Sequence, residues 1–201
     1  MEASMIKKIV DDVMPQMISD RRHLHKHPEL SFEEYQTTEF LCRELEAAGI
    51  EDIRRPVKTG VVSVIHGAYP GKTVAIRADI DALPIQEKNE LEFCSVNDGV
   101  MHACGHDGHA AMLLAAARIF EQHKDELHGS IVCIFQHAEE VPPGGAQELY
   151  EAGVMEGVDE LYGLHLSSNF PTGTYGVRAG ALTSATDRFD IRVIGKGGHS
   201  S

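Results

Sequence analysis

The sequence predicts an α/β fold built on a sheet with mostly parallel central strands. Four short runs of β-branched and apolar residues carry this expectation: VVSVIH (61–66), TVAIRAD (73–79), IVCIFQ (131–136) and ELYGLH (160–165). Helix-period segments separate the later runs, and strand alternating with helix is the pattern of a parallel sheet. IVCIFQ begins with five consecutive apolar residues and reads as a buried strand.

The elements follow in order. Residues 4–26 place Met5, Ile6, Ile9, Val10, Val13 and Met17 at helical spacing, with Pro28 as a stop and Pro15 predicting a kink or break. Ser31-Phe-Glu-Glu34 has the form of a capping box opening a second helix, which Gly49 ends. The turn signal AYPGK separates the first two strands. A long amphipathic helix spans about 107–124, and AQELYEAGV forms another before the last strand. Near residue 185 the chain becomes turn-rich, and DRFDIRVIG then alternates like a half-exposed strand of a different sheet. We therefore divide the chain into residues 1–185, the main domain, and 186–201, the first strand of a second. One strand cannot bury its own face, so the sequence reads as the N-terminal part of a longer protein.

Formal net charge is −13, from 18 basic and 31 acidic residues, which excludes the basic footprint nucleic-acid binding needs. No apolar run is long enough to span a bilayer, and the N-terminus lacks the apolar core of a signal peptide, so the expected location is the cytoplasm. Cys42 and Cys133 lie in apolar patterns and read as core residues; no CxxC pair is present.

The polar clusters fall at strand ends. Asp79 and Asp81 follow TVAIR, Glu139 and Glu140 follow IVCIFQ, His165 ends ELYGLH, and MHACGHDGH opens the long helix. In open α/β sheets ligands bind at those ends, so these segments converge on one rim. Cys104 and His106 flank Gly105, which lets the backbone bend so that both reach inward. Thiolate with imidazole favours Zn²⁺, and carboxylates extend the choice to Mn²⁺, Co²⁺ or Ni²⁺. Adjacent Glu139 and Glu140 point differently at a strand end, which suits one ligand and one general base to a metal-activated water. Asp79 faces the rim as a ligand and Asp81 orients a neighbouring group; each pair could instead be ordinary loop acids. His23, His25 and His27 sit in the last turn of a helix, where cations favour the dipole, and are not assigned to metal. His102 and His109 receive no role, and His137 lies close to the presumed base.

Taken together, RHLHKHPELSFEE, RADIDALPIQE, MHACGHDGHAAMLL, FQHAEE, PPGGA, YGLH and GKGGHSS resemble, in order, the metal-dependent amidohydrolases of the aminoacylase and carboxypeptidase G superfamily. The branch is that of hippurate hydrolases, N-acyl-amino-acid deacylases and auxin-conjugate hydrolases. The resemblance implies a zinc-exopeptidase-like three-layer α/β/α catalytic domain with a small α+β lid through which the full-length protein dimerises. It implies two divalent ions (Zn, Mn, Ni or Co) on residues matching Cys104, His106, Glu140 and His165, with a further histidine beyond this chain. Glu139 matches the general base and Asp81 the aspartate of the HxD motif; Asp79 stands where that motif has its histidine. His199 matches a lid histidine that polarises the scissile carbonyl. The implied reaction is hydrolysis of the amide bond of an N-acyl-amino acid. The alternatives are a dipeptidase or carboxypeptidase of the same superfamily, or an inactive fragment.

Overall fold

In a computed structural model, residues 3–182 and 189–199 are described. Two compact units emerge, Met1–Leu166 and Ser167–Ser201. Among the described residues, the first contains all the regular structure: α1 (Ala3–Lys26), α2 (Tyr35–Ala47), β1 (Asp52–Arg54), β2 (Val61–His66), β3 (Tyr69–Asp79), α3 (His106–Gln122), a 3₁₀ turn (Lys124–Glu126), β4 (His128–Gln136), α4 (Gly145–Glu151) and β5 (Glu160–Gly163). The described residues of the second unit form turns, bends and chain without regular secondary structure, including 189–199, where a strand was expected; residues 186–188 and 200–201 of that expectation lie outside the described set.

The sheet is mixed, in the order β1-β2-β4-β3-β5. β3 pairs parallel with both β4 and β5, whereas β2 pairs antiparallel with β4 and with β1. Successive side chains of a strand point to opposite faces, and here each face meets its own cluster. Val61, Ile65, Ala78, Cys133 and Phe135 join residues of α1, α2 and α3, including Leu24, Leu41, Leu45 and Leu114. Val62, Ala75, Val132 and Ile134 instead meet Leu149 of α4. Helices therefore cover both faces, and the continuous apolar runs of β2 and β4 are explained by burial on both sides.

Two local expectations need correction. α1 runs unbroken through Pro15. Asp11, Asp12, Pro15 and Gln16 are exposed, so water can take the carbonyl that proline leaves without a donor. The Ser31–Glu34 capping box does not form, and Glu34 at the N-cap makes no side-chain cap bond. Ser31 Oγ donates instead to Asp81 Oδ2 at 2.7 Å, and Glu29 accepts from the Gln36 and Thr37 amides at 3.1 and 2.8 Å. The helix end is as expected. Gly49 takes φ +88°, and the Gly49 and Ile50 amides close on the Glu46 and Leu45 carbonyls in a Schellman arrangement.

Half-buried ion pairs tie the helices together: Arg118 of α3 donates to Asp20 of α1 and, at 2.6 Å, to Glu44 of α2. Leu114 of α3 is fully buried among residues of all three helices and the sheet. Leu114→Ala is expected to destabilise the protein by about 2–5 kcal/mol in chemical denaturation, because the packed surroundings close only partly around the lost volume.

Candidate metal centre

β3 and β4 end side by side, with Asp79 opposite Gln136. β5 ends at Gly163, two residues before His165, and α3 begins at His106. Four segments thus reach one edge of the sheet. Gly105 at the N-cap of α3 has φ +85° and ψ 14°, a left-handed conformation natural to glycine. It turns the chain so that Cys104 and His106 face the same space: His165 Nε2 lies 3.4 Å from Cys104 Sγ, and the His106 and His165 rings meet edge to face at 6.1 Å.

His106 is the centre of the arrangement. Its Nδ1 lies 3.0 Å from the Asp81 carbonyl oxygen and 3.2 Å from Asp81 Oδ1, so Nδ1 carries the proton and donates. Nε2 is then an acceptor, buried and without a hydrogen-bond partner among the described residues. It lies 3.6 Å from Asp79 Oδ2 and 3.8 Å from Glu140 Oε1, itself a buried oxygen without a partner. Three groups have ligand atoms mutually within 4.8 Å: Cys104, His106 and His165; His106, Glu139 and Glu140; and Asp79, His106 and His109. The first two share His106 and leave donor atoms open. In the third, both His109 nitrogens are engaged, Nδ1 with Asp79 Oδ1 at 2.5 Å and Nε2 with the Leu166 amide at 2.8 Å.

The electrostatics suit a cation. Burial, together with the carboxylates of Glu140, Asp79 and Glu139, pushes the Cys104 thiol up to about 12. Burial alone would lower the His106 pKa, but Asp81, Asp79 and Glu140 raise it above its ordinary value. Burial is the larger cause at Cys104, but in both cases the neighbouring carboxylates add a negative field that a divalent ion would neutralise, and orphaned lone pairs on His106 and Glu140 are what such an ion would occupy. Asp81 shows the opposite balance. Burial works to raise its carboxyl, but hydrogen bonds from His106, the Glu140 and Glu139 amides and Ser31 hold it at about 2, ionised.

Asp79, Asp81, Cys104, His106, Glu139, Glu140 and His165 are all brought to this edge. Asp79, expected at the rim as a ligand, is almost wholly buried and held by Arg77 at 2.8 Å as well as by His109. His137 turns away, its Nε2 lying 3.1 Å from Glu148 of α4. His199 lies in the second unit. Sequence reasoning missed Glu34 and His109. Only the position of His109, three residues after His106 and buried with it on α3, hinted at its use.

An α/β sheet carrying a cysteine–histidine–carboxylate cluster at its carboxyl edge defines a metallohydrolase-type scaffold. Comparison with known proteins makes the assignment specific. Residues 75–198 match peptidase family M20/M25/M40, and the chain belongs to that family. It is 55% identical over 196 residues to an N-acyl-L-amino acid amidohydrolase of Geobacillus stearothermophilus, covering 98% of this chain and 53% of the relative. Thermostable carboxypeptidase 1 of Saccharolobus solfataricus is 47% identical over 198 residues, covering 98% of this chain and 50% of the relative. Among solved structures, the YXEP protein of Bacillus subtilis, a dinuclear metal-binding M20 peptidase, superposes with a TM-score of 0.81 at 47% identity, covering 85% of this chain and 48% of that one. The chain spans about half the length of the curated relatives it matches.

Behind the site, His25 of α1 joins two other segments. Its Nδ1 lies 2.9 Å from Asp107 Oδ2, next to His106, and its Nε2 lies 3.1 Å from Glu87 Oε1 on the long loop before α3. With both ring nitrogens facing carboxylates, and the Asp107 hydrogen bond the largest influence, the His25 pKa is raised above 6.5. Burial would raise Glu87, but the Ser95 amide, Asn89 and His25 hold it at about 2. The His25 contribution is complete below pH 6.5 and is lost as pH rises through the raised folded value. That of Glu87 is complete above pH 4.5 and is lost as pH falls towards about 2. The clasp is therefore strongest from roughly pH 4.5 to 6.5. Thermal melts should show the largest Tm gap between wild type and His25→Asn inside that window, narrowing as pH rises through the raised His25 value.

Proposed function

We propose that the protein is a metal-dependent amidohydrolase that cleaves the amide bond of N-acyl-amino acids. The observation that carries this reading is the buried Nε2 of His106, without a hydrogen-bond partner among the described residues and set among Cys104, Glu139, Glu140 and His165 at the carboxyl edge of the sheet. The family assignment and the N-acyl-L-amino acid amidohydrolase relative support it. Cys104, His106, Glu140 and His165 would hold two divalent ions of the Zn, Mn, Ni or Co type, as thiolate, imidazole and carboxylate donors suit. Bound there, the ions supply Lewis acidity towards the amide carbonyl and make water in reach more acidic.

The chain's own residues do the rest. Glu139, more exposed than its neighbours, takes a proton from the attacking water and passes it to the leaving amine nitrogen. Asp81, ionised, accepts from His106 Nδ1 and so keeps Nε2 free as a donor atom. His199 supplies a hydrogen bond to the developing oxyanion. In this reading residues 186–201 begin a second, lid-like domain through which the protein dimerises, and the enzyme works in the cytoplasm on a small-molecule substrate. The carboxypeptidase relative favours one further reading, a peptidase acting on short peptides through the same groups.

Glu139→Gln in the full-length protein should keep about two ions per chain by elemental analysis, yet lose roughly 10²–10⁴-fold in kcat. Near-normal turnover in that variant would remove Glu139 from the mechanism. A panel of acetyl-, benzoyl- and indoleacetyl-amino acids against dipeptides should show the N-acyl compounds turned over faster; preference for dipeptides would favour the peptidase reading.

A further inference from the structure

β4 ends in a strained turn. Ala138, fully buried, has φ +44°, the left-handed region that residues with a Cβ rarely adopt, and it directly precedes Glu139 and Glu140. Such a conformation persists only where its surroundings hold it. The Ala138 amide donates to Glu34 Oε1 at 2.7 Å, and its carbonyl accepts from the Gly145 amide at 2.9 Å. One residue past Glu139, the Glu140 amide donates to Asp81 Oδ2 at 3.0 Å. Two carboxylates from distant segments thus hold the backbone on either side of Glu139.

Glu34 is an unusual residue for this purpose. Its side chain is wholly buried, and its second oxygen, Oε2, has no hydrogen-bond partner among the described residues. It heads α2 but caps nothing, leaving the first-turn amides to Glu29. Its backbone is anchored in turn, because Thr38 Oγ1 donates to the Glu34 carbonyl and accepts from the Gly60 amide at 2.8 Å. Burying an acid this way is unfavourable unless what it holds requires it. The Ala138 amide, at 2.7 Å, is its closest partner, and the Thr59 side chain also acts on the carboxylate.

We propose that Glu34 is a positioning residue: by accepting the Ala138 N–H it fixes the left-handed turn that presents Glu139 and Glu140 in different directions at the metal centre. The catalytic consequence rests on the hydrolase reading above. The structural one does not.

Two substitutions separate reach from charge. Glu34→Gln keeps an oxygen within reach of the Ala138 amide, and because burial pushes the native carboxyl above its usual range, the neutral isostere fits the same space. Glu34→Asp keeps the acid but withdraws it by roughly 1.5 Å. In the full-length protein, Glu34→Gln should stay within about threefold of wild type in kcat, in Co²⁺ retention against a chelator and in hydrogen exchange of the Ala138 amide. Glu34→Asp should lower kcat by about 10²-fold with little change in KM, since an ångström of displacement at reacting groups has effects of that size. It should also release Co²⁺ more readily and expose the Ala138 amide to exchange, while the Val132–Phe135 amides of β4 stay protected. Wild-type exchange at Ala138 or wild-type kcat in Glu34→Asp would overturn the proposal, as would a Glu34→Gln variant that loses both. Should Glu34→Asp fail to fold, the Gln variant decides alone: retained protection at Ala138 with retained kcat supports the assignment, and loss of either overturns it. If instead the hydrolase reading is wrong, the wild-type full-length protein turns over neither N-acyl-amino acids nor dipeptides while Ala138 protection still follows Glu34, so the two failures are distinguishable.

Discussion

Because β3 and β4 run parallel with Asp79 opposite Gln136, their carboxyl ends lie side by side, and the placement of every candidate group follows from that pairing. The connection from β3 to β4 passes through α3 on one face, and the connection from β4 to β5 passes through α4 on the other. The connections that leave β3 and β4 therefore pass to opposite faces of the sheet, which opens a crevice at the carboxyl edge between the two strands. α3 starts at that edge because it must cross from there, and this brings His106 into the crevice. The sheet below is packed on both faces, with Phe135 and Cys133 on one side and Val132 and Ile134 on the other. Such a base is rigid enough to hold a crowded, partly strained edge above it.

That edge concentrates negative charge and then divides its histidines by what each nitrogen meets. His106 gives one nitrogen to Asp81 and leaves the other open. His109 uses both nitrogens, one on Asp79 and one on the Leu166 amide, and so braces the segment that carries His165. His25 lies between two carboxylates and is held towards its charged form. His102, buried with neither nitrogen partnered among the described residues, is pushed down to about 4 by desolvation and stays neutral. Four histidines within or behind one site thus have four different roles, set by the groups around them and not by their spacing along the chain.

The acids divide in the same way. Asp81 and Asp79 are buried and paired, and act through the imidazoles they touch. Glu140 keeps one buried oxygen free, and Glu139 is exposed. Glu34 is committed to a backbone amide across 104 residues of sequence. Carboxylates that hold the site in shape therefore lie below it, and those open to a cation or a proton lie at its mouth.

The sequence by itself determined the strands β2 to β5, the long helix α3 and the set of segments that meet at the rim. Each of those depends on local periodicity, on a glycine between two donors, or on where an apolar run stops, and all are legible within a few residues. Only the tertiary structure decided the antiparallel pairing of β2, the burial of Asp79 and the use of Ser31 and Glu34. Those two residues have the form of a capping box, yet Ser31 bonds Asp81 across 50 residues and Glu34 bonds Ala138. The reason is competition between partners. A local cap on a solvent-facing helix end can be replaced by Glu29, whereas a buried amide in a strained turn and a buried carboxylate beside His106 have few other partners, and leaving them unpaired costs more.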